Sequence, residues 1–314
     1  MRILSDSSAN LRKLPGADYV SVPLTIIISD HLYSDTPDLD VTAMIEDMKA
    51  SKEASSTACP GVGEWLDAFG EAEEILVFTL TSTLSGCYNS AMSAAALYTE
   101  THPERKVKVI DTLSTGPEME LALEHAAAAA ADGASFEEIC ERAEEDLRKT
   151  GLLFLLTSLD NFARNGRVRP AVAKLAGFLN IHIVGRASEG GELEPLHKCR
   201  GSKKGAELLW KEMLEAGYDG GKVRIRYTGE KKTILPLFRL ILHDYPDADI
   251  KAGLNRGLCS YYAEDNGYLV GFEKKLPEAD QNETDSIRKQ LRKLLHHKGM
   301  SEDSTSRADE GKVL

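Results

Sequence analysis

Short apolar runs alternate with helical patterns through the first half of this chain, and that alternation limits the fold more than any other feature. Arg2–Leu4, Tyr19–Pro23, Glu74–Phe78 and Val107–Ile110 read as strands, with Val41–Lys49, Gly63–Phe69, Asn89–Tyr98 and Glu118–Ala131 as the helices between them. Strands separated by helices predict a parallel sheet covered on its faces, an α/β fold. A further helix spans Phe136–Lys149. Ser135 caps it, Glu137 and Glu138 sit in its first turn, Arg148 and Lys149 lie in its last, and Gly151 stops it. Leu152–Thr157 then opens a second α/β unit with strands near Ile181–Gly185, Leu193–Leu196, Val223–Tyr227 and Tyr268–Phe272, covered by helices Ser202–Ala216 and Thr233–Tyr245. The expected organisation is two α/β domains with mainly parallel sheets, 1–152 and 153–275, a ligand pocket between them, and a charged tail over 276–314.

At 314 residues the chain can hold two such cores. A formal charge of −12 argues against nucleic acid, whose phosphates require a basic face. The N-terminus lacks a charged-then-apolar leader and no run approaches the ~20 apolar residues of a membrane span, so a cytoplasmic protein is expected. Cys59, Cys87, Cys140, Cys199 and Cys259 form no Cys-x-x-Cys pair and leave an odd count, which fits reduced thiols. The histidines show no metal-ligand spacing, so no metal is expected. In the tail, Ile287, Leu291, Leu294 and Leu295 recur at helical spacing among Arg288, Lys289, Arg292, Lys293 and Lys298. This basic amphipathic pattern suits transient contact with a membrane or an acidic partner, or packing on the second domain.

Phe78-Thr79-Leu80-Thr81-Ser82-Thr83-Leu84-Ser85-Gly86-Cys87 brings a strand to its end, crowds hydroxyls into a turn and starts an alanine-rich helix. Hydroxyls and unpaired N–H groups at a helix start attract a carboxylate or phosphate. Ser55-Ser56-Thr57-Ala58-Cys59-Pro60-Gly61 is a second such cluster before another helix. Ligands of parallel sheets gather beyond the strands' carboxyl ends, where both clusters are expected. The plainer alternative is that Thr57 and Ser85 are helix caps.

Several ordered motifs resemble the DegV-type fatty-acid-binding proteins of bacteria over roughly the first 275 residues. Ile3-Leu4-Ser5-Asp6-Ser7-Ser8 is similar to the family's first strand and Asp-Ser-Ser turn, Thr57 with Pro60 to its Thr-Ser-Gln-Pro-Ser segment, and Leu84-Ser85-Gly86-Cys87-Tyr88 to its Leu-Ser-Gly-Thr-Tyr segment. Val109-Ile110-Asp111-Thr112 resembles its strand-plus-Asp-Ser step, and Leu159 to Val168 its Arg-Gly-Gly-Arg-Ile stretch. The resemblance implies a non-catalytic carrier. It would bury a long-chain fatty acid and present the carboxylate to an ATP-dependent fatty-acid kinase, with no cofactor beyond the lipid. Thr57, Ser85 and the Gly86 N–H become the candidate head-group donors, joined by Arg167 from the cluster Arg164, Arg167 and Arg169, an arginine fork suiting a carboxylate. The family's His-x-Gly-Pro-Gly segment reads Tyr262-Ala263-Glu264-Asp265-Asn266, making Tyr262 a donor in place of histidine. The family's Ser-x-Gly-x-Gly continuation reads Gly116-Pro117-Glu118-Met119-Glu120, with glutamates at both glycine positions.

A fatty-acid tail gains about 0.8 kcal/mol per buried methylene, so ~14 methylenes supply on the order of 11 kcal/mol before ordering costs. Its carboxylate costs several kcal/mol to bury without donors. Val172, Leu175, Ala176, Phe178, Leu179 and Ile181 are the expected apolar lining, although such a stripe is also ordinary core. The rival reading is a small hydrolase or phosphotransferase using Ser85, Cys87 or the Arg164–Arg169 loop. Asp6 and Asp111, at strand ends, are read as loop-orienting carboxylates rather than an acid/base pair.

Overall fold

The computed structural model describes residues 1–51, 53, 55–168, 172 and 181–276. Strands β1 (Arg2–Asp6), β2 (Asp18–Val22), β6 (Glu74–Thr79) and β7 (Lys106–Asp111) form a parallel sheet in the order β2-β1-β6-β7. The strands read as continuous apolar runs because both faces are buried. Leu4, Ile75, Val77 and Val109 pack under Trp65 and Phe69 of α2 (Val62–Phe69) and under Ala91, Ala94 and Tyr98 of α3 (Cys87–Thr101). Ile3, Leu76, Phe78 and Ile110 face the other way, onto Met119, Leu123 and Ala126 of α4 (Pro117–Ala131) and Phe136 and Ile139 of α5 (Phe136–Arg148). Burying a side chain such as Phe78, 0 % exposed, contributes about 1.5–3 kcal/mol. The predicted Ser135 cap of α5 is present and forms a capping box: Ser135 accepts from the N–H of Glu138, whose carboxylate accepts from the Ser135 N–H.

The remaining strands of the first half form a small antiparallel sheet, ordered β4-β3-β5, from β3 (Thr25–Ile28), β4 (His31–Ser34) and β5 (Ser55–Ala58). It packs through Ile26 and Ile28 onto Met44 of α1 (Val41–Ala50) and Tyr261. Thr57 therefore lies on a strand rather than in a strand-to-helix turn, because the polar segment Ser55–Ala58 pairs with apolar β3.

The second sheet joins β8 (Thr150–Leu156), β9 (Ile181–Ala187), β10 (Leu193–Arg200), β11 (Val223–Tyr227), β12 (Ile250–Leu254) and β13 (Tyr268–Glu273) in the order β10-β9-β8-β13-β11-β12. The expected mainly parallel pairing does not hold in this sheet. Only β11 and β12 run parallel; β10/β9, β9/β8, β8/β13 and β13/β11 are antiparallel. The physical reason lies in the connection: five residues between β9 and β10 permit a hairpin, whereas a parallel crossover needs a dozen or more. After the short α6 (Asp160–Arg164), helices α7 (Ser202–Glu215) and α8 (Leu235–Asp244) cover one face through Leu209, Trp210, Met213, Leu237 and Ile241.

Helix α4 packs on the opposite face of this sheet. It approaches so closely that a Cβ on Gly271 would lie 2.5 Å from the Glu118 nitrogen. The glutamates standing at the family's glycine positions find their explanation here. Thr150 Oγ1 donates to Glu118 at 2.9 Å and Ser114 to its other oxygen, while Arg226 binds Glu120 with both Nε and Nη2, at 2.8 and 2.5 Å. One turn further, Arg224 binds Glu124, with Nη2 at 2.6 Å. They bond the helix to the second sheet and do not line the cavity described below.

Candidate functional site

The loops after β1, β6 and β7 meet at the carboxyl ends of the parallel sheet. Asp6 holds two of them together: its carboxylate accepts from the Ser8 N–H at 3.0 Å and from the Leu80 N–H at 2.7 Å. Burial pushes its pKa up to about 6 against the lowering pull of those bonds. Asp111 likewise accepts from the Ser82 and Leu113 N–H groups, both at 3.1 Å. Both aspartates thus orient backbone.

Beside these loops lies a cavity of about 320 Å³, within the range of small-molecule sites. All five residues singled out in the sequence line it: Thr57, Ser85, Gly86, Arg167 and Tyr262. Thr57 Oγ1 and the Tyr262 hydroxyl lie 3.0 Å apart, so the strand β5 and the helix α9 (Gly257–Ala263) bring two hydroxyls to one point. The Tyr262 ring stacks at 4.6 Å on Phe162 and edge-on to Tyr261 at 4.9 Å. Burial raises its phenol pKa, so Tyr262 is a neutral donor.

Ser85 accepts from the Cys87 N–H at 3.3 Å and directs its own hydroxyl to Cys87 Sγ at 3.4 Å. The cap reading is thus met in part by Ser85, whereas α2 is capped at Gly61 and not by Thr57. Gly86 sits where a Cβ would come 3.0 Å from Cys59 Sγ, so its missing side chain lets the two hydroxyl-bearing segments close up. Burial, with Asp6 nearby, pushes the Cys87 thiol far above its ordinary range, which removes the thiolate that a nucleophile needs. Arg167 donates through Nε to the Leu84 carbonyl at 3.2 Å and through Nη1 to the Asn165 carbonyl. Both acceptors are neutral.

The rest of the lining is mostly apolar. Leu24, Leu80, Leu84, Leu258 and Ala263 surround the hydroxyls, and Leu152, Phe154, Leu156 and Leu269 form a floor supplied by the second sheet. Gly191, Glu192 and Leu193 reach over from the β9–β10 hairpin, where Thr83 Oγ1 donates to the Gly190 carbonyl at 2.7 Å. The expected lining differs. Val172 and Ile181 pack beside Leu156 and Phe162 without lining the cavity, and Leu175, Ala176, Phe178, Leu179 and Arg169 lie outside the described residues, as does the tail pattern 287–298. The floor was present in the sequence as Leu152–Leu156, an unbroken apolar strand whose two faces must both be covered. Among the described residues, no group of three or more His, Cys, Asp or Glu is placed to hold a metal ion, and no helix is long and apolar enough to cross a membrane.

Known proteins share this fold. A DegV domain-containing protein of Streptococcus pneumoniae is 42 % identical over 276 residues, spanning 87 % of this chain and 98 % of its own. The fatty acid kinase (Fak) B3 protein of Streptococcus pneumoniae, solved with linoleic acid, superposes with a TM-score of 0.85 at 42 % identity, over 87 % of this chain and 99 % of that one. A DegV family protein from Eubacterium eligens loaded with heptadecanoic acid gives 0.85 at 41 % identity, with the same coverage. The DegV family model matches residues 1–264, which include every cavity-lining residue except Leu269 of β13. With the Asp6 turn, the Ser85-Gly86 loop and Tyr262 all in that match, the chain belongs to the DegV family.

Proposed function

We propose that the cavity holds a long-chain fatty acid, its carboxylate among Thr57, Ser85, the Gly86 N–H, Arg167 and Tyr262 and its tail along the floor of Leu156, Phe154 and Leu152. The observation that carries this reading is that those five residues line one mostly apolar cavity, with Thr57 3.0 Å from the Tyr262 hydroxyl and Arg167 bonded to the Leu84 carbonyl beside Ser85. The fatty acids in two relatives at 41–42 % identity support it. Tail burial is worth on the order of 11 kcal/mol gross for ~14 methylenes. The donors offset the desolvation of the carboxylate and set where it points.

The relative's naming as a fatty acid kinase component supports a second step, in which this chain presents the carboxylate to an ATP-dependent fatty-acid kinase. We assign the chemistry to that partner and no reaction or cofactor to this chain. Ser85 spends its hydroxyl proton on sulfur and Cys87 is held as a thiol, neither being prepared for attack. We place the protein in the cytoplasm, with residues 1–152 as the domain of the head-group loops, 153–275 as the domain of the floor and 276–314 as a tail for transient membrane contact. Organic extraction of the purified protein followed by mass spectrometry tests the reading: a near-stoichiometric fatty acid is expected. Repeated lipid-free extracts, with no thermal shift on adding fatty acid, overturn it. Cleavage of chromogenic esters would instead favour the hydrolase.

A further inference from the structure

Leu152, Phe154 and Leu156 lie two apart on β8, and a strand sends alternate residues to one face, so they form a row about 13 Å long on the cavity floor. Phe154 is at the centre of the row. It is paired with Leu269 of β13 on one side and with Gly185 of β9 on the other. Residues directly opposite in an antiparallel pair project to the same face, so a side chain at 185 would share Phe154's space. A Cβ built on Gly185 would fall 2.5 Å from Cε2 of Phe154 and 2.5 Å from the Glu194 carbonyl oxygen. The ring therefore lies over the bare backbone of β9 instead of standing up into the cavity, and it is 5 % exposed.

We infer that Gly185 and Phe154 together set the length and shape of the acyl chain this cavity accepts. Glycine gives the ring a recess in the floor; any larger residue at 185 lifts the ring into the path of the tail. The inference rests on the fatty-acid reading above. An aromatic lying over a glycine in a neighbouring strand also has a purely structural use, because it shields the sheet backbone. The two roles differ in what a substitution changes.

Delipidated protein titrated with saturated fatty acids of roughly 12 to 20 carbons separates them, since each added methylene that finds a place is worth a severalfold gain in affinity. Phe154→Ala is expected to move the affinity optimum by about two carbons toward longer acids. Phe154→Trp and Gly185→Ala are expected to move it toward shorter ones, and Gly185→Ala combined with Phe154→Ala to restore the longer acids. Gly185→Ala also abuts the β10 backbone; if it does not fold, the two Phe154 variants carry the test in opposite directions. Variants that lose thermal stability while their chain-length profiles superimpose on the wild type overturn the inference and leave the fatty-acid reading intact. A wild type that binds no acid of any length overturns both.

Discussion

Two polar regions of this molecule are built from similar groups to opposite ends. At the junction of α4 with the second sheet, Glu118 takes Thr150 and Ser114, Glu120 takes the fork of Arg226, and Glu124 takes Arg224 and Lys251. At the head of the cavity Thr57 and Tyr262 share one hydroxyl contact, Ser85 turns to a sulfur, and Arg167 donates to the neutral carbonyls of Leu84 and Asn165. At the junction two of the three carboxylates meet opposite charge and the third meets two hydroxyls; the cavity head has donors set against weak or uncharged acceptors. A buried charge that is already paired belongs to the scaffold, whereas donors that a charged acceptor would satisfy better are available to an anionic ligand.

Removing Arg226 tests the junction most severely. Arg226→Ala leaves the Glu120 carboxylate, 2 % exposed, without its partner, and unfolding free energy should fall by about 3–5 kcal/mol. Chemical denaturation measures this, and in the absence of denaturant bound lipid should remain at wild-type stoichiometry. Loss of lipid with unchanged stability would reverse the assignment of the two regions.

Asp6 gives the next largest effect. Its folded pKa of about 6 stands above the ordinary 3.8, so the group stabilises the fold below pH 4 relative to neutral pH. That contribution is lost as pH rises through 6, and amounts to about 3 kcal/mol. A carboxyl-carbon NMR titration should show the Asp6 midpoint near 6; a midpoint near 4 breaks the claim that burial outweighs the Ser8 and Leu80 bonds.

Substitutions at the cavity head should be smaller in energy and different in kind. Thr57→Ala or Ser85→Ala removes a hydrogen bond to a charged group, worth roughly 1.5–3 kcal/mol against a tail term on the order of 11. Bound fatty acid should persist, while phosphorylation by the cognate kinase falls further, up to ~100-fold, as the carboxylate loses its placement. Wild-type phosphorylation by both variants would reduce these hydroxyls to local structure.

The smallest change expected is a gain. Glu264 holds φ at 52° and ψ at −169°, and Asn266 holds φ at 62°, at the two places where the resembling His-x-Gly-Pro-Gly segment has glycine. A non-glycine residue in that region is strained, so Glu264→Gly should stabilise by about 1 kcal/mol, read as a raised melting temperature. A fall shows that the contact of its carboxylate with the Asn161 N–H, at 3.4 Å, outweighs the strain.

Local patterning made the parallel half legible. β1, β2, β6 and β7 announce themselves as apolar runs, and the loops that follow β1, β6 and β7 carry the cavity's aspartate and hydroxyl motifs. β5 was hidden, because Ser55-Ser56-Thr57-Ala58 has no apolar alternation and becomes a strand only by pairing with Ile26 and its neighbours. Strand direction in the second sheet depends on partners far apart in sequence, such as Leu269 with Phe154, which single-segment periodicity does not encode. The five head-group candidates, drawn from the hydroxyl clusters and the family resemblance, all line the cavity, while the floor came from β8 and not from the stripe after Arg169, since which strand face meets a cavity is a tertiary outcome.

The closeness of α4 to Gly271 has a mechanical consequence. A helix seated on bare strand backbone and fastened by carboxylate forks has no room to slide or roll, so the two sheets behave as one rigid jaw on that side of the cavity. If the proposed fatty acid enters here, volume for its methylenes would come from a wall held more lightly. The β9–β10 hairpin is such a wall: its tip rests on Thr81 through Gly191 and is tied by the hydroxyl of Thr83 to Gly190. On the proposed fatty-acid reading, entry of a tail would call for bending a five-residue turn rather than prising two sheets apart.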